Sequence, residues 1–182
     1  MVDLLQFPAK ICFTAAAFLI QDKKILLIKH KKIGLWLAPG GHVEPGELPH
    51  RAAERECFEE TGVAVRAVDQ FFGPGKKYHD SAVIQYFPSP ILSNIHWVSQ
   101  SNYQARTNDP EHYQPIAPWL KGCEQHFNFT YVVEPMGSIE TTLDQMETDG
   151  IGWFSLEEMK EIETTDDIRF EVSHAFKLLG LG

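Results

Sequence analysis

The sequence predicts a mixed α/β fold, with strands and helices intermingled along the chain. Three observations predict it. Two apolar runs, Ile11 to Ile20 and Ile25 to Ile28, flank the turn-like Gln21-Asp22-Lys23. Leu48 to Thr61 carries the end signals of a helix, and Gln125 to Val133 alternates like a strand ahead of an amphipathic closing stretch, Thr165 to Leu179.

In order, the first two runs read as a strand hairpin, and Leu35 to Ala38 as a third short strand running into a sharp loop at Pro39-Gly40-Gly41. The helix over Leu48 to Thr61 comes next. Pro49 suits its first turn, where the N–H that proline lacks would have no helical partner, and Gly62 suits the left-handed residue past its end. Leu48 is a poor cap, so the stop is better marked than the start. Val63 to Phe72 is expected as a strand, Gly73-Pro74-Gly75 as a turn and Ser81 to Phe87 as another strand. Pro88 to Gly122, with five prolines and the aromatics Trp97, Tyr103, Tyr113 and Trp119, reads as a long irregular insertion. Ile151 to Phe154 is a short strand, and Ser155 to Glu161 begins a helix with a Ser-x-x-Glu capping box. The closing helix sets Ile168, Val172, Ala175, Phe176 and Leu179 on one stripe.

A chain of 182 residues, 43% hydrophobic and 23% charged, is long enough for one domain with a substantial core and short for two, so residues 1–182 are expected to form one domain. No apolar run reaches bilayer length. Met1 to Lys10 lacks the basic start and cleavage pattern of a secretory signal, so a cytoplasmic location without a membrane partner is expected. Cys12, Cys57 and Cys123 are far apart and odd in number, which argues against a disulfide framework and against a paired-cysteine zinc site, and for reduced, buried thiols. A formal charge of −9 repels a nucleic-acid backbone. An anionic substrate can still bind such a surface if cations bridge the two.

The helix shows where such cations would sit. Each residue advances about 100°, so Glu56, Glu59 and Glu60 fall within an arc of about 100° as neighbours on one face. Nothing in helix stability rewards three crowded like charges. A divalent ion does: Mg²⁺, a hard cation, takes carboxylate oxygens and completes its shell with water and substrate phosphate. The competing reading is a solvated acidic face. Ala52 and Ala53 lie on the same side as the glutamates and permit close approach of the protein body, so the carboxylates are expected to face a cleft, while Phe58, on the other side, needs cover of its own. Arg55 has two readings, a planar brace for two carboxylates or a surface ion pair worth little. Gly40 and Gly41 would let backbone groups approach an ion or phosphate closely.

Together these residues resemble the Nudix signature without a gap: Gly41, five residues, Glu47, seven residues, Arg55-Glu56, Cys57, Phe58, Glu59-Glu60, Thr61, Gly62 and Val63. Trp36 with Pro39-Gly40-Gly41, and Trp153-Phe154-Ser155-Leu156-Glu157-Glu158, resemble the family's flanking segments. The resemblance covers Ile11 to Phe72 well and Gln125 to Lys160 loosely, and leaves out Pro88 to Gly122. It departs at Cys57, where the family prefers an aliphatic residue; a buried cysteine behaves as a small hydrophobe. The resemblance implies an α/β/α sandwich around a mixed sheet. It also implies hydrolysis of a nucleoside diphosphate linked to another group, by a water activated with Mg²⁺ or Mn²⁺. Glu56, Glu59 and Glu60, joined by the Gly41 carbonyl, look like the metal ligands. Glu59 is also a candidate to activate water, with Arg55 and Glu47 orienting the ligands, and Glu140 and Glu147 are alternatives for the base. On this reading Glu59→Gln or Glu60→Gln abolishes turnover and leaves the fold intact. The alternative is a non-catalytic nucleotide-binding or sensor module, which has no need of three crowded carboxylates.

The substrate is less legible. An insertion of some 35 residues is far longer than ordinary connections, and its aromatics either stack on a nucleobase or pack onto the body or onto a second subunit, as in a homodimer. Lys23, Lys24, Lys29, Lys31 and Lys32 offer positive charge near the Gly-Gly loop or line a solvated strand edge. Tyr78 stands near where some dinucleoside-polyphosphate hydrolases of the family carry a tyrosine. His42, His79 and His126 either touch substrate or are structural.

Overall fold

The structure, a computed structural model, describes residues 9–71, 81–109, 111–112, 122–143, 146 and 148–182. β1 (Ile11–Gln21) and β2 (Lys24–His30) form the expected hairpin, with Ile20 opposite Ile25 and Gln21 opposite Lys24. Asp22 and Lys23 take the tight turn at φ 48° and 58°, the left-handed geometry that matches strand twist. β3 (Trp36–Leu37) and β8 (Thr148–Phe154) both pair antiparallel with β2. β7 (Gln125–Pro135) lies parallel to β1 from Ile11 opposite Gln125 to Leu19 opposite Val133. β5 (Val65–Ala67) and β6 (Leu92–Trp97) then pair antiparallel with β7, completing a mixed eight-stranded sheet with β4 (Gly40–His42) against β1.

Both faces of this sheet are covered, which is why β1 and β2 read as nearly continuous apolar runs. On one face Ala15, Ala17 and Leu19 of β1, Leu26 of β2 and Tyr131 and Val133 of β7 pack with Ala52, Ala53 and Cys57 of α1 (Pro49–Thr61). On the other, Phe18, Ile25, Leu27 and Val132 pack with Val172, Ala175 and Phe176 of α3 (Asp166–Leu178). The result is the expected α/β/α arrangement. Among the described residues, no helix is long and apolar enough to cross a membrane.

Several local expectations are corrected. Gly40 and Gly41 lie in β4 and not in a loop, because a chain without β-carbons can be laid flat on β1; a β-carbon on Gly40 would strike the Ala15 carbonyl and the Ala16 α-carbon. Of Val63 to Phe72 only β5 is strand. Asp69 ends the run by accepting the Phe71 N–H at 2.8 Å, an Asx turn, while Phe72 and Gly73-Pro74-Gly75 fall outside the described residues. Ser81 to Phe87 is not a strand: the Ser81 N–H donates to the Ile84 carbonyl at 2.9 Å, its hydroxyl accepts the Ile84 N–H at 3.2 Å, and Val83 is 90% exposed. The supposedly irregular 88–122 segment contains β6 and α2 (Gln100–Asn108), the latter capped by the Ser99 hydroxyl accepting from the Asn102 N–H. The capping box after β8 forms, with the Ser155 N–H to the Glu158 carboxylate at 2.7 Å and the Glu158 N–H to the Ser155 hydroxyl at 3.3 Å. It launches only a single 3-10 turn over Glu158–Lys160. Arg169 of α3 captures the carbonyls of Met159, Ile162 and Thr164 at 2.8–3.0 Å, fixing the connection in a non-helical path.

Candidate functional site

α1 begins at Pro49 and ends on Gly62, which takes φ 74° and donates its N–H to the Phe58 carbonyl. Ala52, Ala53 and Cys57 seat the helix on β1 without bulk. That seating sets the direction of the acidic side chains. Glu60 is buried under β4, its carboxylate accepting the Gly40 N–H at 2.9 Å. Glu56 meets β4 at Gly41, where any β-carbon would collide with its carboxylate. Glu59 reaches further toward solvent, with its side chain 55% exposed. Phe58, for which cover was expected, is 56% exposed.

Arg55 joins the acidic groups. Its Nε and Nη2 donate to the two oxygens of Glu47 at 2.9 and 3.0 Å, a bidentate pair, and its Nη1 donates to Glu56 at 2.8 Å and to Glu59 at 2.9 Å. Nη2 also donates to the His42 carbonyl of β4 at 3.0 Å. The guanidinium thus bridges three carboxylates and a strand, a stronger arrangement than an exposed ion pair. Hydrogen bonding from Arg55 holds the Glu47 carboxyl below its ordinary range, and the same bonds, led by Glu47, push the Arg55 pKa up. Charge on both partners is therefore fixed around neutral pH.

The other named residues are placed differently. Glu140 is exposed on the loop after β7, which is tied to the end of α1 by the Thr142 N–H donating to the Thr61 carbonyl at 2.8 Å. Tyr78, Glu147 and His79 lie outside the described residues, as do Tyr113 and Trp119. Lys24 and Lys29 pair with Glu158 at 3.1 Å and Glu163 at 3.3 Å, in the connection after β8. Trp97 belongs to β6 and packs against Tyr103 of α2 at 5.5 Å, so this part of the insertion is built into the sheet.

Two groupings escaped the sequence. Phe13, 56% exposed, lies 6.1 Å from both Phe127 and Phe129 on the sheet face that carries α1. Cys12, His42 and Cys123 bring one ligand atom each to within 4.8 Å of one another, and His126 stands against Cys123. Burial pushes the Cys123 thiol up to about 11, and burial with two neighbouring histidines pushes His126 down to about 4. No sequence signal marked this group, since Cys12 and His126 become neighbours only through the parallel register of β1 and β7.

A helix that turns its small residues to a mixed sheet and its carboxylates to a glycine strand, with a second helix layer behind, defines an α/β/α protein with a crowded acidic cluster beside that strand. A family model described as NUDIX domain matches residues 12–176, and the chain belongs to the Nudix family. It is 49% identical over 53 residues to a putative 8-oxo-dGTP diphosphatase of Bacillus subtilis (strain 168), covering 28% of this chain and 36% of that protein. It is 41% identical over 56 residues to diphosphoinositol polyphosphate phosphohydrolase 2 of Rattus norvegicus, covering 30% of this chain and 29% of that one. The matched stretches therefore span well under two thirds of these curated relatives. The crystal structure of a NUDIX-family hydrolase from Clostridium perfringens shares the fold, with a TM-score of 0.65 at 24% identity over 92% of this chain and 97% of that chain.

Proposed function

We propose that the protein hydrolyses the diphosphate linkage of a nucleoside diphosphate joined to another group, with Mg²⁺ or Mn²⁺ as cofactor. The observation that carries this reading is the gathering of Glu47, Glu56 and Glu59 on one guanidinium, beside a glycine strand that leaves the Glu56 carboxylate room. The donor set fits the ion: all oxygen, crowded, and accessible on the Glu59 side, as a hard divalent cation requires. Glu56, Glu59 and Glu60 would hold it, with the Gly41 carbonyl as a further donor. When bound, the ion supplies Lewis acidity toward phosphate oxygens and offsets the negative charge of protein and substrate.

The chain's own groups do the rest. Arg55 and Glu47 hold the carboxylates in one orientation, so no reorganisation is needed at the moment of reaction. Glu59, the most exposed of the three, would accept a proton from the attacking water, a reading its exposure supports. The exposed Phe13 ring, backed by Phe127 and Phe129, offers a flat apolar surface to a nucleobase on the same face as the carboxylates.

The test is a panel of nucleoside triphosphates, ADP-ribose, dinucleoside polyphosphates and nucleotide sugars with Mg²⁺ or Mn²⁺, the products being identified. Glu59→Gln and Glu60→Gln should each lower the rate on the active substrate at least about a hundredfold, with unchanged circular dichroism. Near-normal rates in both variants would sink the assignment of the site. Absence of turnover across the panel moves weight to a nucleotide-binding module on the same fold.

A further inference from the structure

β4 has two sides. Gly41 faces α1 and the glutamates, while His42 pairs with Thr14 and faces the other side of the sheet. There, parallel pairing puts Cys12 of β1 directly beside His126 of β7, and antiparallel pairing puts His96 of β6 beside His126 in turn. Cys123, two residues before β7, completes the group.

Two sulfur–nitrogen distances match those between neighbouring ligands of a tetrahedral ion. The His42 Nε2 lies 3.3 Å from the Cys123 Sγ, and the His126 Nε2 lies 3.4 Å from the same sulfur. With Zn–S about 2.3 Å and Zn–N about 2.0–2.1 Å, tetrahedral ligands stand about 3.5 Å apart. Two imidazole nitrogens converge on one sulfur, which as a thiol is a weak donor and a weak acceptor but as a thiolate is a strong metal ligand. Cys12, His42 and Cys123 each also bring a ligand atom within 4.8 Å of the other two.

We propose that Cys12, His42 and Cys123 bind one Zn²⁺ ion, with the His126 Nε2 as the fourth donor. Two thiolates balance the charge of the ion, so the bound site is neutral, and both thiol protons are released on binding. Sulfur and imidazole select a soft or borderline metal, in contrast to the all-oxygen site across the strand. The donors come from β1, β4 and the start of β7, so the ion would cross-link the three strands around the sheet centre. Cys12 and His42 also line a surface depression with Phe13 and Glu44, which gives an ion a route in. The spacing of the cysteines in the sequence carried no sign of such a group, because strand pairing brings together residues that are remote in sequence.

The test uses untagged full-length protein grown with zinc and purified under reducing conditions, its metal counted by mass spectrometry. About one zinc per chain is expected. Cys12→Ser and Cys123→Ser should each lose it, while Glu59→Gln, on the other side of β4, should keep it. Should the serine variants fail to fold, the wild type stripped with chelator and refilled with Co²⁺ should show thiolate-to-metal charge transfer and the visible bands of a tetrahedral ion. It should also melt higher when zinc is returned. Three outcomes overturn the proposal: a zinc-free protein with no Co²⁺ spectrum, zinc retained in the Cys12/Cys123 double variant, or a mass two hydrogens short from a Cys12–Cys123 disulfide.

Discussion

Gly41 and Glu56 show how one missing β-carbon can matter more to function than to stability. A β-carbon at Gly41 would meet the far end of the Glu56 side chain, which in an ordinary setting would swing aside at little cost. Here that end is held by the Arg55 Nη1 at 2.8 Å, and the same nitrogen holds Glu59 at 2.9 Å. Gly41→Ala must therefore displace Glu56 and disturb the shared brace. The expected outcome is a fall in kcat/KM of at least about tenfold, with loss of stability under about 1 kcal/mol. Paired rate and urea-denaturation measurements check it, and a variant with full activity would show that the Glu56 position is immaterial to turnover. The brace itself should be insensitive to pH near neutrality. Its partner Glu47 has its pKa lowered by Arg55, so the contribution of the pair is present above the ordinary carboxylate range and is lost only as pH falls through the lowered value.

The ends of α1 were legible in the sequence because they rest on local chemistry. Proline at the first turn and glycine past the last are decided within a few residues, and the structure has both. Gly62 takes φ 74°, and a β-carbon there would also press on the Thr142 side chain at 3.1 Å. Gly62→Ala should thus cost about 1–2 kcal/mol in denaturant, more than the loss of glycine's chain entropy gives back. A change within error would mean that the left-handed cap is not fixed. What the sequence did not reveal depends on distant partners. β6 and α2 sit in a proline-rich stretch without clean periodicity and are held by pairing with β7 and by the Ser99 cap. Ser81 to Phe87 had the composition of a strand but pairs with no strand among the described residues, and its hydrogen bonds close a local turn. Glu171 on α3 is a further element-scale feature that periodicity hides. It is buried against β6 and β7, accepting from the Asn94 amide at 2.6 Å and from the Thr130 hydroxyl at 3.5 Å, and burial raises its pKa. A raised folded pKa means that its contribution is fully present in acid and is lost as pH rises from the ordinary carboxylate range through the raised value. Glu171→Gln, which stays neutral, should raise Tm at pH 8 and leave it unchanged in acid. Equal melting shifts at both pH values would show that the carboxyl titrates normally.

For the whole molecule, the sheet divides labour between its faces. The face under α1 carries the carboxylates, and its helix packs through Ala52, Ala53 and Cys57, small residues that bury little area apiece. The face under α3 has no part in the proposed reaction and buries Phe18, Phe176, Ile25 and Leu27 almost completely. This division explains why the acidic cluster is written in a single helix while the strand register behind it is not. The acidic cluster is one amphipathic pattern, whereas the core requires a parallel register between β1 and β7, strands far apart in sequence. Stability and turnover should therefore separate by face. Val172→Ala, at a fully buried α3 position, removes two methyl groups from the core and should cost about 1–3 kcal/mol, about 2–12 °C in Tm. Well below that Tm, kcat and KM should stay within about twofold of the wild type, because α3 reaches the carboxylates only through an intact sheet. Glu59→Gln should do the reverse, leaving Tm within a few degrees and removing turnover. Measuring Tm and steady-state rates for both variants at the same temperature decides the matter. A large fall in kcat for Val172→Ala would show that motion of the sheet couples its two faces, and would make α3 part of the catalytic apparatus.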